Sequence, residues 1–363
     1  MKSRSLMAAA LCLQLAAPMA LAQQEPVRIA GLMELSGTGA TSGTNFNDGV
    51  KLAVKEINAA GGMLGRKIEY SASDTQSSAP ISKALAQKAV DQGVYVVMGP
   101  VFSGSIMVSM AETRRAEITN FTGGEAAAIT QQGNPYIFRT SFTQTTAMPK
   151  VARYLKDVVK AKTVSMIWVN NDFGKGGRDT MVKALEAVGI KVGADISTDP
   201  GQVDFSGAVV RAKQSNADAL FVYSNEEESA RALRELKKQG YDKPIVGETT
   251  LTSQKVIELA GDAANGAVAH VGLSSDAPQP AIQAFSKNFQ QEYKYKGAHN
   301  SLKELRAEAD ESQDLLHGRV IAAREALNRL DGQLARAERA RIDLDKGLAA
   351  WETTAALRAA PPR

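Results

Sequence analysis

Residues 27–65 read VRIAGLMELSGTGATSGTNFNDGVKLAVKEINAAGGMLG, and three signals follow one another within them. Residues 27–32 are an apolar run of strand length. Gly37, Gly39 and Gly43 then make a loop. Beyond it Phe46, Val50, Ala53 and Ile57 mark one helical face at spacings of 4, 3 and 4. Gly61-Gly62 stops that helix. A strand, a glycine loop and a helix form one β-α unit, and the organisation of the chain depends on how often that unit recurs.

It recurs to about residue 272. Strands are expected at 67–73, 94–98 and 117–121, with helices at 81–92 and 103–114. The rhythm restarts with a strand at 163–169. Helices follow at 176–188, 205–213 (opened by an Asp204 cap), 227–239 and 253–259, alternating with strands at 191–196, 219–223, 244–247 and 266–271. Repeated β-α units imply parallel sheets covered by helices on both faces. Two such sets imply an α/β chain of two doubly wound parallel-sheet lobes, with residues 139–149 the candidate hinge between them.

Bulk properties narrow the classes. The opening MKSRSLMAAALCLQLAAPMALAQQ has the charged start (Lys2, Arg4), short apolar run and Ala20-Leu21-Ala22 cleavage site of a secretory signal peptide, which assigns the chain to the periplasm. The single cysteine, Cys12, lies inside that segment, so the mature chain is expected to hold no disulfide and no cysteine metal site. With 43 Lys and Arg against 39 Asp and Glu, no strong field favours nucleic acid. The expected divisions are 1–22 as signal peptide, 23–141 as lobe 1 with 273–298 returning to it, 142–272 as lobe 2, and 299–363 as an atypical tail. The tail carries eleven basic and eleven acidic residues and an apolar stripe at helical spacing, read as two helices.

Several stretches resemble one family in order and spacing. They are VRIAGLMELSG from Val27, GVKLAVKEINAAGGMLG from Gly49, Asp74-Thr75-Gln76, GPVFSG from Gly99, NNDFGKG from Asn170 and LAGDAANG from Leu259. Together they make residues 26–297 similar to the periplasmic substrate-binding proteins of branched-chain amino-acid ABC transporters, with the type I periplasmic binding fold of leucine-binding proteins. The resemblance implies a monomer that captures an amino acid or related carboxylate between its lobes and hands it to an inner-membrane ABC permease. It implies no cofactor and no catalysis. It also implies that Ser103 and Gly104 offer a hydroxyl and backbone N–H groups to a ligand carboxylate, that Gly123 and Gly124 lie in the next carboxylate-facing loop, and that Phe173 packs on the ligand side chain. Loops at strand C-termini suit that task, because helix N-termini there present unpaired N–H groups to an anion. Glu248, after its strand, is the candidate partner of a ligand ammonium. Glu125 falls where relatives carry a small or hydroxyl residue; it points away, binds the ammonium, or marks another ligand type. The tail does not match the family.

Competing readings are weaker. Gly37–Gly43 with Asp74 imitates a dinucleotide turn and its ribose carboxylate, a cofactor an exported protein rarely meets. A serine hydrolase would need His270, which sits in an apolar strand. Glu226-Glu227-Glu228 reads as a solvated helix N-terminus, where acids favour the dipole. A ligand-sensing receptor with the same lobes, or a binder of an aromatic acid or amide, remains the alternative.

Overall fold

The computed structural model describes residues 25–272, 274 and 277–293. The expected signal segment and tail lie outside them.

The first set of units runs β1 (Val27–Met33), α1 (Ala40–Ala59), β2 (Ile68–Asp74), α2 (Ala79–Asp91), β3 (Val96–Met98), α3 (Ser103–Arg115), β4 (Thr119–Thr122), α4 (Ala128–Gln131) and β5 (Ile137–Arg139). The second runs α5 (Gln144–Asp157), β6 (Thr163–Val169), α6 (Asp172–Ala187), β7 (Lys191–Thr198), α7 (Ser206–Gln214), β8 (Ala219–Tyr223), α8 (Glu226–Lys238), β9 (Ile245–Glu248), α9 (Gln254–Ala260) and β10 (Val268–His270). Each set forms its own five-stranded sheet, ordered β2-β1-β3-β4-β5 and β7-β6-β8-β9-β10, and every pairing between these strands is parallel. The two orders are the same when each set is counted from its first strand. In such sheets the chain reverses direction between the first and third strands, which opens a crevice at their C-terminal ends. Both lobes place their loops there.

Burial on both faces explains why central strands such as β6 and β8 read as continuous apolar runs. Every residue of β8 is buried. Leu220 and Val222 join Ile167, Val209 and Leu233 in one cluster, while Phe221 and Tyr223 join Met166, Met181 and Leu185 in another. Lobe 1 has the same two-sided arrangement on a smaller scale. Leu32, Ala86 and Val97 form one cluster, and Ile106, Met110, Ile129 and Ile137 form another.

Three differences from the sequence reading have local causes. The glycine loop is shorter than expected: Gly37–Gly39 is a single 3₁₀ turn, and α1 already includes Gly43. A Cβ at Gly43 would lie 2.1 Å from the Glu34 carbonyl oxygen, so its missing side chain lets the helix rest on the end of β1. Helix α6 starts four residues before the expected position. The Asn171 side chain accepts the Gly174 N–H at 2.8 Å and caps it there. Most of the expected hinge, residues 139–149, is instead the start of α5, opened by a Thr143–Thr146 capping box.

The chain passes between the lobes at residues 140–143 and again after β10. Phe142 meets the His270 ring edge-on at 5.1 Å and fills the space over Gly272, where a Cβ would lie 2.0 Å from it. The last described helix, α10 (Pro280–Tyr293), packs on α1. Lys55 pairs with Glu292 at 2.6 Å, Asn288 donates to Glu56 at 2.7 Å, and the Tyr293 hydroxyl donates to the Asp48 carbonyl at 3.0 Å.

A buried acid ties the loops of lobe 1 together. Glu34, just after β1, is fully enclosed and accepts the N–H groups of Val101 and Phe102, each at 3.0 Å. Burial raises its pKa more than those two bonds lower it. Glu34→Ala strips two buried N–H groups of their acceptor. It is expected to lower unfolding stability by about 1–3 kcal/mol in urea denaturation.

Candidate functional site

The site is built from loop residues at the C-terminal ends of both sheets, and the lobes are closed upon each other there. Several contacts cross between them, the following among them. The Ser42 hydroxyl of α1 donates to the Glu226 carboxyl at the start of α8. The Tyr223 hydroxyl, at the end of β8, donates to Glu125 Oε2 at 3.1 Å. Asp172, the first residue of α6, stands over Gly104 near the start of α3, 3.2 Å from where a Cβ would sit.

Lobe 1 supplies the Ser103 and Glu125 loops. Ser103 is buried, and its oxygen accepts the Ala126 N–H at 3.3 Å, leaving its own hydroxyl hydrogen available to a ligand. In this closed state the neighbouring N–H groups serve the loop itself. Gly123 donates to the Pro100 carbonyl at 3.3 Å and Gly124 to the Thr122 hydroxyl at 3.2 Å. Arg139 binds the loop from behind, donating to the carbonyls of Gly124 and Ala126.

Lobe 2 supplies an aromatic wall and two acids. Phe173 stacks on Tyr223 with ring centroids 4.2 Å apart. Gln144 clamps that pair by donating one amide to both the Phe173 carbonyl at 2.8 Å and the Tyr223 hydroxyl at 3.0 Å. Glu248 ends β9 and is completely buried. Its Oε1 accepts the Thr249 hydroxyl at 2.5 Å, while Oε2 receives no hydrogen from any hydroxyl or amide among the described residues. The Glu125 carboxyl lies within hydrogen-bonding reach of the Glu248 carboxyl.

The electrostatics of this arrangement are one-sided. Burial, followed by the nearby Glu248 charge, holds the Glu125 carboxyl well above the usual carboxylate range. Burial pushes Glu248 up to about 7 and also raises Glu226. His270 lies 3.7 Å from Glu248 Oε1, but burial, helped by the charge of Lys150, pushes it down to about 4. It is therefore neutral near pH 7 and gives Glu248 no countercharge. The facing edges thus bring three acids together, and among the described residues no charged base pairs with Glu248.

The geometry brings Ser103, Glu125, Phe173 and Glu248 to facing edges of the two lobes. Gly123 and Gly124 turn their α-carbons toward Val101, Phe46, Ile106 and Ile129, away from the facing lobe. Of the open readings for Glu125, the one in which it points away is excluded. Sequence reasoning missed four participants: Ser42, Gln144, Tyr223 and Glu226. It also took Glu226-Glu227-Glu228 for a solvated helix start. The helix does begin there, with an Asn225–Glu228 capping box, but Glu226 and Glu228 are both buried. Asp74 is engaged by its own loop rather than turned to a ribose. It accepts the N–H groups of Leu35, Ser36 and Gln76 and the Ser36 hydroxyl, at 2.7–3.1 Å, and so serves only to fold its own loop.

Comparisons with known proteins agree with this architecture. The Leucine-, isoleucine-, valine-, threonine-, and alanine-binding protein of Pseudomonas aeruginosa is 26% identical over 246 residues, 68% of this chain. The match spans 66% of that protein's own length, just under two thirds. The Leu/Ile/Val-binding protein of Escherichia coli K12 is 27% identical over 267 residues, 73% of this chain and 72% of that one. Among solved structures, the branched-chain amino acid transporter substrate binding protein LivJ of Streptococcus pneumoniae, in complex with isoleucine, superimposes with a TM-score of 0.70 at 25% identity. The alignment covers 75% of this chain and 79% of that one. A Rhodopseudomonas palustris solute binding protein in complex with benzoate shares the fold at a TM-score of 0.69 and 23% identity, over 75% of this chain and 76% of that one. The profile of one family matches residues 26–308 of the 363, and with two closed lobes of the same strand order behind that match, this chain belongs to the periplasmic binding proteins.

Proposed function

We propose that the chain is the extracytoplasmic solute-binding component of an ABC importer, which closes two lobes over an amino acid with a hydrophobic side chain and hands it to an inner-membrane permease. One observation carries this reading. Glu248 is a completely buried acid at the mouth of lobe 2, its Oε2 receives no hydrogen bond among the described residues, its carboxyl interacts with that of Glu125, and no charged base pairs with it. A buried charge without a partner costs several kcal/mol, so such an acid is kept where a ligand brings the missing cation. An ammonium group has three donors and fits that role.

The remaining groups suit the other parts of an amino acid. On this reading the Ser103 hydroxyl and the N-terminal end of α3 would hold the carboxylate, and the Phe173–Tyr223 stack would be the apolar wall for the side chain. Relatives named for binding leucine, isoleucine and valine support the same class. On this account the protein does no chemistry on its ligand; contact with both lobes shifts the hinge equilibrium toward closure. The divisions 23–141 with 273–298, and 142–272, are the two bodies that would move.

A thermal-shift screen with L-leucine, L-isoleucine and benzoate tests the ligand class. An amino acid at 100 times its dissociation constant should add about 2.7 kcal/mol of stability. Stabilisation by benzoate and by neither amino acid would replace this reading with that of an aromatic-acid binder. Ser103→Ala is expected to weaken L-leucine binding by about 1–3 kcal/mol in calorimetry, the loss of a bond to a charged group. Unchanged affinity would remove Ser103 from the carboxylate site.

A further inference from the structure

We propose that Glu125 from lobe 1 and Glu248 from lobe 2 form a single cation-binding site that closes only around a positive charge, supplied by the ligand's ammonium or, when the protein is empty, by a proton. The inference rests on the solute-binding reading above and deepens it, because it makes Glu125 a determinant of which ligands can close the lobes.

The geometry is the primary argument. The two acids come from opposite lobes and meet only when the lobes meet. Glu248 is completely buried, and among the described residues no donor offers its Oε2 a hydrogen. The Tyr223 hydroxyl gives its single hydrogen to Glu125 while accepting one from Gln144, so it has none left for Glu248. Two ionised carboxylates in this contact would repel each other in a poorly solvated space. The contact forms when one proton lies between them or when a cationic donor replaces that proton. The described residues include no group of three His, Cys, Asp or Glu side chains placed to hold a metal ion.

The other charged groups facing the pair do not neutralise it. Glu226 adds a further acid, whose hydrogen-bond partner is Ser42. His270 is neutral near pH 7, and Lys150 acts on His270. The Arg139 guanidinium feels the Glu125 charge, but its hydrogen bonds go to Gly124, Ala126 and Thr130, its Nε–H is buried without an acceptor, and none of its donors reaches either acid. Tyr223 is held in its neutral form by burial and by the same two acids.

The sign of the pH dependence follows. In the open state each acid is solvated and titrates near the ordinary value of about 4.3. In the closed state Glu248 rises to about 7 and Glu125 rises well above its usual range. The closed empty protein therefore binds more protons than the open one between those values. Acid favours empty closure, and the preference is lost as pH rises through the closed-state values. The closed-to-open ratio should fall about tenfold per pH unit for each proton shared, or about 100-fold between pH 5 and pH 7.

The test measures the distance between lobes by electron-spin resonance. Spin labels are placed at Lys88→Cys and Glu186→Cys, two exposed positions remote from the cleft, in the full chain carrying Cys12→Ser so that no other thiol competes. Without ligand, the wild-type site should give a short distance at pH 5 and a long one at pH 8. Glu125→Gln and Glu248→Gln should each close at pH 8, because an amide supplies the hydrogen that the proton otherwise provides; circular dichroism confirms that each variant is folded. An empty protein whose lobe distance does not change with pH, or variants that keep the wild-type response, would overturn the proposal. L-leucine added at pH 8 separates this inference from the reading it rests on. Closure by leucine without any pH response sinks the inference alone, whereas a pH response without leucine closure sinks only the choice of ligand.

Discussion

Glu248→Gln is expected to weaken L-leucine binding by about 100-fold or more, roughly 2.7 kcal/mol, with the fold unchanged. The substitution keeps the shape of a side chain that is packed on all sides and removes the charge that would face an ammonium. Its effect should exceed that of Ser103→Ala. Ser103 contributes one hydroxyl among several donors at the start of α3, whereas Glu248 is, among the described residues, the buried acid of lobe 2 with an oxygen left unbonded. Truncating one member of a buried charged pair also leaves the other charge uncompensated, and that penalty falls on the complex. Calorimetric titration checks the result. An affinity within threefold of wild type would mean that the ligand's cation lies elsewhere.

The second large effect concerns lobe 2 itself. Phe221→Ala should destabilise the protein by about 3–5 kcal/mol in chemical denaturation, the cost of a large cavity in a close-packed core. Phe221 is fully buried at the centre of β8, the strand between β6 and β9, and its ring stacks at 5.6 Å on Tyr223. Tyr223 in turn carries Phe173 and reaches Glu125. Loss of the Phe221 ring should therefore also loosen the aromatic wall and weaken ligand binding. A cost under 1 kcal/mol would show that the strand can collapse around the void.

Much of this was legible in the sequence for local reasons. The β-α rhythm is written in apolar runs separated by helical faces, and the central strands β6 and β8 are continuous apolar stretches because both sheet faces are covered there. Ser103 and Phe173 could be singled out because the family resemblance implies ligand contacts there, and Glu248 because it stands at a strand end, where this fold concentrates such contacts. What escaped the reading depends on how the lobes meet. Tyr223 ends the run Ala219-Leu220-Phe221-Val222-Tyr223, where nothing separates a core tyrosine from one whose hydroxyl crosses to the other lobe. Glu226 opens a row of three acids that favours a helix N-terminus whether that end faces water or a closed cleft. Gln144 lay within the expected hinge because the Thr143 capping signal was not recognised as a helix start. Glu125 kept three open readings until its partner from lobe 2 was known. A site made by two lobes closing is set by contacts nearly 100 residues apart, such as Glu125 with Tyr223, and these leave no periodic trace in the chain.

The most direct test is a crystal structure of the protein grown with L-leucine. The account predicts one amino acid enclosed between the lobes, its nitrogen within about 3 Å of Glu248 and Glu125 and its carboxylate at Ser103. Leucine bound with its carboxylate toward Glu248, or seated anywhere other than the space between the two sheets' C-terminal edges, would contradict it.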